Sequence, residues 1–169
     1  MKSRAGILSA AAMAAIFAAP LALAANPTRA DAFMQKAIAG NLAEIKVGQL
    51  AQQKGATEGV RHFGAVLERD HSKANQQAMS AASSMGVTPP AQPSSKEQAE
   101  YRRLASLSGS EFDKAFVKEM VKDHEKDIEE YKKEAEATKS PAANYAQETL
   151  PDLQKHLQLA ESLERTPSG

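Results

Sequence analysis

From Asn26 onward the apolar residues recur at steps of three and four and nowhere alternate in twos, so each segment presents one apolar stripe along an α-helix. Helix formers dominate, β-branched residues are sparse, and no strand is predicted. The chain therefore reads as all-α, with helices that must bury their stripes against one another.

Caps and breakers set the helix ends. The first helix is predicted to begin near Asn26-Pro27, where Asn caps and Pro suits the first position, and to stop before Gly55. The second runs from Thr57 to near Met85, with Gly86 taking the left-handed turn. Val87–Ser94 contains three prolines and reads as an extended linker. Ser95 with Gln98 resembles a capping box that opens a short helix to about Leu107. Ser110 caps the third long helix, to about Thr138, and Ser140-Pro141 starts the fourth, to about Glu164, with a kink expected at Pro151. The result is two helical hairpins joined by one long connection. Its extended and helical parts reach on the order of 45 Å, against roughly 40 Å for one long helix. That is the wiring of a ferritin-like four-helix bundle with a short helix in the crossover between helices 2 and 3, with a plain up-down bundle as the alternative.

The first 24 residues carry a different message. Lys2 and Arg4 precede an apolar run from Ala5 to Leu23 that ends in Ala22-Leu23-Ala24, the pattern of an export signal. The run is long enough to serve as an anchor, but Pro20 and the small-residue end favour cleavage after Ala24, leaving residues 25–169 as one domain. The expected location is the periplasm. The absence of cysteine excludes a lipid-anchored N-terminus, disulfides, thiol catalysis and thiolate metal sites. Without Lys2 and Arg4 the chain has 19 basic residues against 21 acidic ones, which offers nothing to a nucleic acid backbone. Lys114, Lys118, Lys122 and Lys126 line one helix face, but Glu111, Glu119 and Asp123 sit three residues before three of them, as on a solvated, self-paired surface. After signal cleavage no spanning segment is expected, and a peripheral envelope or protein partner is the only association foreseen.

The chemistry sits on the stripes. Two related tetrapeptides, Asp70-His71-Ser72-Lys73 and Asp123-His124-Glu125-Lys126, place His71 and His124 mid-seam in the second and third long helices. His156 lies on or beside the seam of the fourth, Glu44 on that of the first, and His62 falls on a surface face. A titratable ring on a core-facing stripe must be hydrogen-bonded, metal-bound or shifted in pKa, because burying it unpartnered costs about 1–3 kcal/mol. Height along the bundle allows a meeting. His124 and His156 are each 16 residues from Ser140, while Glu44 is 12 before Ala56 and His71 is 15 after it, an offset of roughly 4.5 Å. Three imidazoles and a carboxylate suit zinc, iron, copper or manganese. Asn75 and Asp127, one turn beyond His71 and His124, are placed to orient those rings, and Asp70 and Asp123 point away as solvent-side or neighbouring-helix partners. A di-iron carboxylate centre needs Glu-x-x-His on two helices, and only Glu68-x-x-His71 qualifies, with Val121 and Leu153 in the other two places. No phosphate loop, nucleophile elbow or paired-carboxylate motif is present, so an enzyme has no positive support.

At Phe33-Met34-Gln35-Lys36-Ala37, Gly40-Asn41-Leu42-Ala43-Glu44, Asp70-His71-Ser72-Lys73-Ala74-Asn75, Met120 to Asp127 and Thr149 to Leu157, the chain resembles an exported bacterial ferritin-like domain of unknown function family, often labelled "predicted outer membrane protein". The likeness covers essentially the whole mature chain, and Glu44, His71, His124 and His156 all fall on its motif positions. Where that family more often has Met-Val-x-Asp-His, this chain has Leu67-Glu68-Arg69-Asp70-His71. The resemblance implies a helical bundle outside the cytoplasm and little about activity. An outer-membrane span would need a closed barrel, for which the sequence has no strand pattern. Two functions are therefore expected to compete: a soluble bundle with a metal site serving envelope stress or metal handling, and a structural or interaction protein whose histidines complete the core. A third, an enzyme using the histidines as acid and base, would need a sizeable cavity beside His71 and His124.

Overall fold

A computed structural model describes residues 28–165, so the predicted export signal lies outside the described residues. The protein is all-helical, with five helices and no strand among the described residues: α1 (Arg29–Lys54), α2 (Glu58–Ser84), α3 (Ser95–Ala105), α4 (Gly109–Ala135) and α5 (Pro141–Arg165). None of them is long and apolar enough to cross a membrane.

Several helix ends differ from expectation by a residue or two, and each has a cause. Helix α1 starts at Arg29 because Thr28 and Asp31 form a reciprocal capping box. The box that opens α3 is Ser94 with Glu97, one residue ahead of the predicted pair, while Gln98 donates to the Pro93 carbonyl. Ser110 is inside α4 instead of capping it. Gly109 takes φ +58° and lets the chain turn directly into the helix. Gly86 behaves as predicted, with φ +70° and with Val87 N–H donating to the Ala82 carbonyl at 2.9 Å, the closing bond of a Schellman turn. Pro151 stands on the exposed face of α5, so the bond it removes is lost on the solvent side.

Hydrogen bonds fix the direction of each rod. Arg29 reaches Glu134 and the Lys133 carbonyl, so α1 begins where α4 ends. Asp113, buried near the start of α4, accepts from Ala56 N–H (2.8 Å), Thr57 N–H (2.9 Å) and Thr57 Oγ1–H (2.8 Å), which locks the α1–α2 turn to α4. Lys54 donates to the Ala105 and Leu107 carbonyls at the C-terminus of α3. The connection through α3 thus runs the length of the molecule, and α2 and α4 point the same way.

Helix α1 packs chiefly on α2 and α4 on α5, the two hairpins meet mainly through α2 and α5, and the α1–α4 seam is loose. One apolar cluster gathers Leu50, Phe63, Leu67, Phe112 and Phe116, and the other gathers Met34, Ile38, Ile128, Tyr145 and Leu153. Along all four long helices, Asn41, Glu44, His71, His124 and His156 fall between the residues of these two clusters. A buried polar layer therefore divides the core.

Candidate metal centre

His71, His124 and His156 arrive in this layer from α2, α4 and α5, each no more than 5% exposed. One ring nitrogen from each lies within 4.8 Å of the others, and they form the one such group among the described residues. Every ring is held from outside by an acceptor, and this fixes its protons. His71 Nδ1–H donates to Asn41 Oδ1 (2.9 Å), whose amide donates onward to Tyr145 Oη (2.9 Å), itself 3.3 Å from Tyr131 Oη. His124 Nδ1–H donates to the Met120 carbonyl (2.9 Å). His156 Nε2–H donates to Asp70 Oδ2 (3.1 Å), and Arg69 binds the same carboxylate.

The inner nitrogens are left without protons. His71 Nε2 is buried and has no hydrogen-bond partner. His124 Nε2 faces His156 Nδ1 at 3.3 Å, and with their protons committed elsewhere both present lone pairs. A second proton on His156 would close that contact. Burial opposes it, pushing all three imidazoles below their ordinary range, His124 to about 3, with neighbouring imidazoles adding to the effect at His71 and His124. Asp70 counteracts burial at His156. Its own carboxyl is held down at about 2, first by the Arg69 hydrogen bond and then, against burial, by His156. Three neutral imidazoles with inward lone pairs and outward N–H anchors form a donor set suited to a borderline transition metal. Two ligands at about 2.0–2.1 Å from a tetrahedral ion stand roughly 3.3 Å apart, the separation found between His124 and His156.

The other predicted residues are placed differently. Glu44 is buried in the same layer but outside the imidazole group, its carboxyl lining a groove between α1 and α4 with Oε2 unpartnered. Burial, followed by Asp123, Asp127 and other carboxylates, raises it well above the usual range. Asn75 does not orient His71, since its Oδ1 is buried with no partner and Asn41 performs that task from α1. Asp127 does not orient His124, whose anchor is a backbone carbonyl. It lines the groove, where burial lifts its carboxyl to about 6. Asp70 is the neighbouring-helix partner expected of it. A cleft of about 30 Å³ between α2 and α5, lined by Asp70, His71, Thr149 and His156, has room for a water molecule beside the rings.

The sequence matches the model of a domain of unknown function, DUF4142, over residues 12–163. The chain belongs to the DUF4142 family. Neither the curated proteins nor the solved structures yield a match. For this DUF4142 member the imidazole layer is accordingly the strongest guide to function.

Proposed function

We propose that this chain is an exported ferritin-like four-helix bundle of the periplasm that holds a divalent transition metal on His71, His124 and His156. The wiring supports the architecture, with one connection running the length of the molecule and α2 parallel to α4. The observation that carries the metal reading is the proton inventory: three buried inner nitrogens, none with a hydrogen to share, one with no partner at all. Nitrogen-only ligation favours zinc, iron and copper over manganese, which prefers the carboxylate that Glu44 does not supply, and a solvent molecule reaching through the α2–α5 cleft would complete the ligand set. Metal handling or envelope stress is the role that follows from this site and from the predicted signal at residues 1–24.

The test is metal analysis by mass spectrometry of protein purified without a histidine tag and reloaded with Zn(II) or Co(II), beside the His71→Ala/His124→Ala variant. The expected result is near one equivalent in the parent and none in the variant. Equal, negligible metal in both would sink the reading. If each histidine substitution then lowered stability alone, the layer would be structural, as in an interaction protein of the envelope.

A further inference from the structure

The loose α1–α4 seam opens into a groove of about 690 Å³, roofed by Thr88, Pro89 and Pro90 of the connection and by α3. That volume is in the range of small-molecule sites. Its walls carry Ala39, Ala43, Val47, Leu104 and Met120, and Gly40 contributes open space, since a Cβ there would touch only Glu97 Oε1 at 3.9 Å.

Charge sets the groove apart from a packing defect. Lys36 is bound to Glu130, Lys122 donates to Glu119, and Arg103 binds Glu100. Glu97 is occupied by its capping box. What remains is Glu44, 9% exposed with Oε2 unpartnered, together with Asp123 and Asp127. Among the described residues no hydrogen bond is found to either aspartate; Lys126 divides a long ion pair between Asp127 and Glu130, 3.7 Å from each, and Lys96 is exposed at the rim. A single metal ion does not suit these carboxylates, because the three do not bring oxygens within 4.8 Å of one another.

We propose that the α1–α4 groove is a binding site for a linear aliphatic polyamine, with one ammonium group on Glu44 and a second on the Asp123–Asp127 edge of α4. A buried carboxylate with no partner fits a donor carrying positive charge, and the apolar walls fit methylenes between the charges. Asp123 and Asp127 are one turn apart, about 6 Å along α4, so that edge offers two carboxylates to the ammonium end of a chain whose other amine sits on Glu44, and a third amine three or four methylenes away can follow the same edge. This site shares no residue with the imidazole group and does not depend on its holding a metal.

Isothermal titration of EDTA-treated protein with spermidine, at constant ionic strength, tests the site. One equivalent is expected to bind at millimolar concentration or below, and n-butylamine at least about tenfold more weakly. Glu44→Gln, isosteric with the parent, is expected to weaken spermidine by about tenfold or more. Gly40→Leu, which fills the groove and leaves every carboxylate in place, is expected to do the same while metal uptake stays at the parent level. Absence of spermidine binding to the parent, or equal affinity in the parent and both variants, would overturn the proposal.

Discussion

Substitution of Gly48 or Gly64 by alanine tests how closely α1 and α2 are packed. A Cβ on Gly48 would lie 2.6 Å from the Gly64 carbonyl oxygen and 2.9 Å from the Glu68 nitrogen, and one on Gly64 would lie 2.6 Å from the Gly48 oxygen. These are backbone atoms, which cannot swing aside. Reaching ordinary contact at 3.4 Å requires the helices to separate locally by about 0.8 Å. Alanine gains about 1 kcal/mol of helix propensity, but overpacking costs about 1–3 kcal/mol and the separation also loosens contacts around Leu67. The expected net effect is a destabilisation of about 1–2 kcal/mol for either substitution. The double variant should cost less than the sum, because one opening relieves both clashes. Gly40→Ala is the internal control: it meets nothing closer than 3.9 Å and should stabilise by about 0.5–1 kcal/mol. Urea unfolding followed by circular dichroism at 222 nm measures the four variants beside the parent. A Gly48→Ala midpoint at or above the parent's, with unchanged slope, would refute the close-approach reasoning.

Other expectations concern charge. Folded His124 titrates at about 3 against an ordinary 6.5, so the unfolded chain binds a proton that the folded one refuses. Its effect is absent above pH 6.5 and grows as pH falls from there toward 3, the parent losing up to about 1.4 kcal/mol per pH unit relative to His124→Leu in metal-free denaturant titrations. Asp127 has the opposite sign, because its raised folded value means stability is lost as pH climbs through about 6. Asp127→Asn should therefore gain on the parent at pH 8 and lose that advantage below pH 6 in thermal melts. Asp113→Ala strands two backbone N–H groups and a hydroxyl at the α1–α2 turn and should cost about 2–4 kcal/mol by denaturant unfolding. Asp70→Asn keeps an acceptor for His156 but removes the charge, and should weaken Zn(II) binding by about 10–100-fold in competition titrations while the melting temperature of the metal-free protein shifts little.

The helices and the three histidines were legible because spacing on a stripe and distance from a turn are both written in the sequence. His124 and His156, level with each other about Ser140, meet at 3.3 Å. The same rule explains where Glu44 departs. It lies 12 residues before Ala56, whereas Asn41 lies 15 before it, level with His71 at 15 after, and Asn41 is the residue that touches His71. Both are polar residues on one apolar stripe, and a carboxylate is the more conspicuous metal ligand. Height alone selects the amide. Other features leave no sequence signal. The Met120 carbonyl that anchors His124 has no side-chain identity, and Asp113 binds a turn more than 50 residues away. Helix starts shifted because Ser94 and Ser95, or Ser108 and Ser110, compete as caps, and the winner depends on how the connection approaches.

The Tyr131–Tyr145–Asn41–His71 chain gives the protein a built-in optical probe. There is no tryptophan and there are three tyrosines, so near-ultraviolet emission comes from phenol rings alone, two of them joined through one amide to the imidazole layer. A change at His71 that reorients Asn41 alters the polarity felt by those phenols, so unlabelled protein reports on its own interior through its fluorescence.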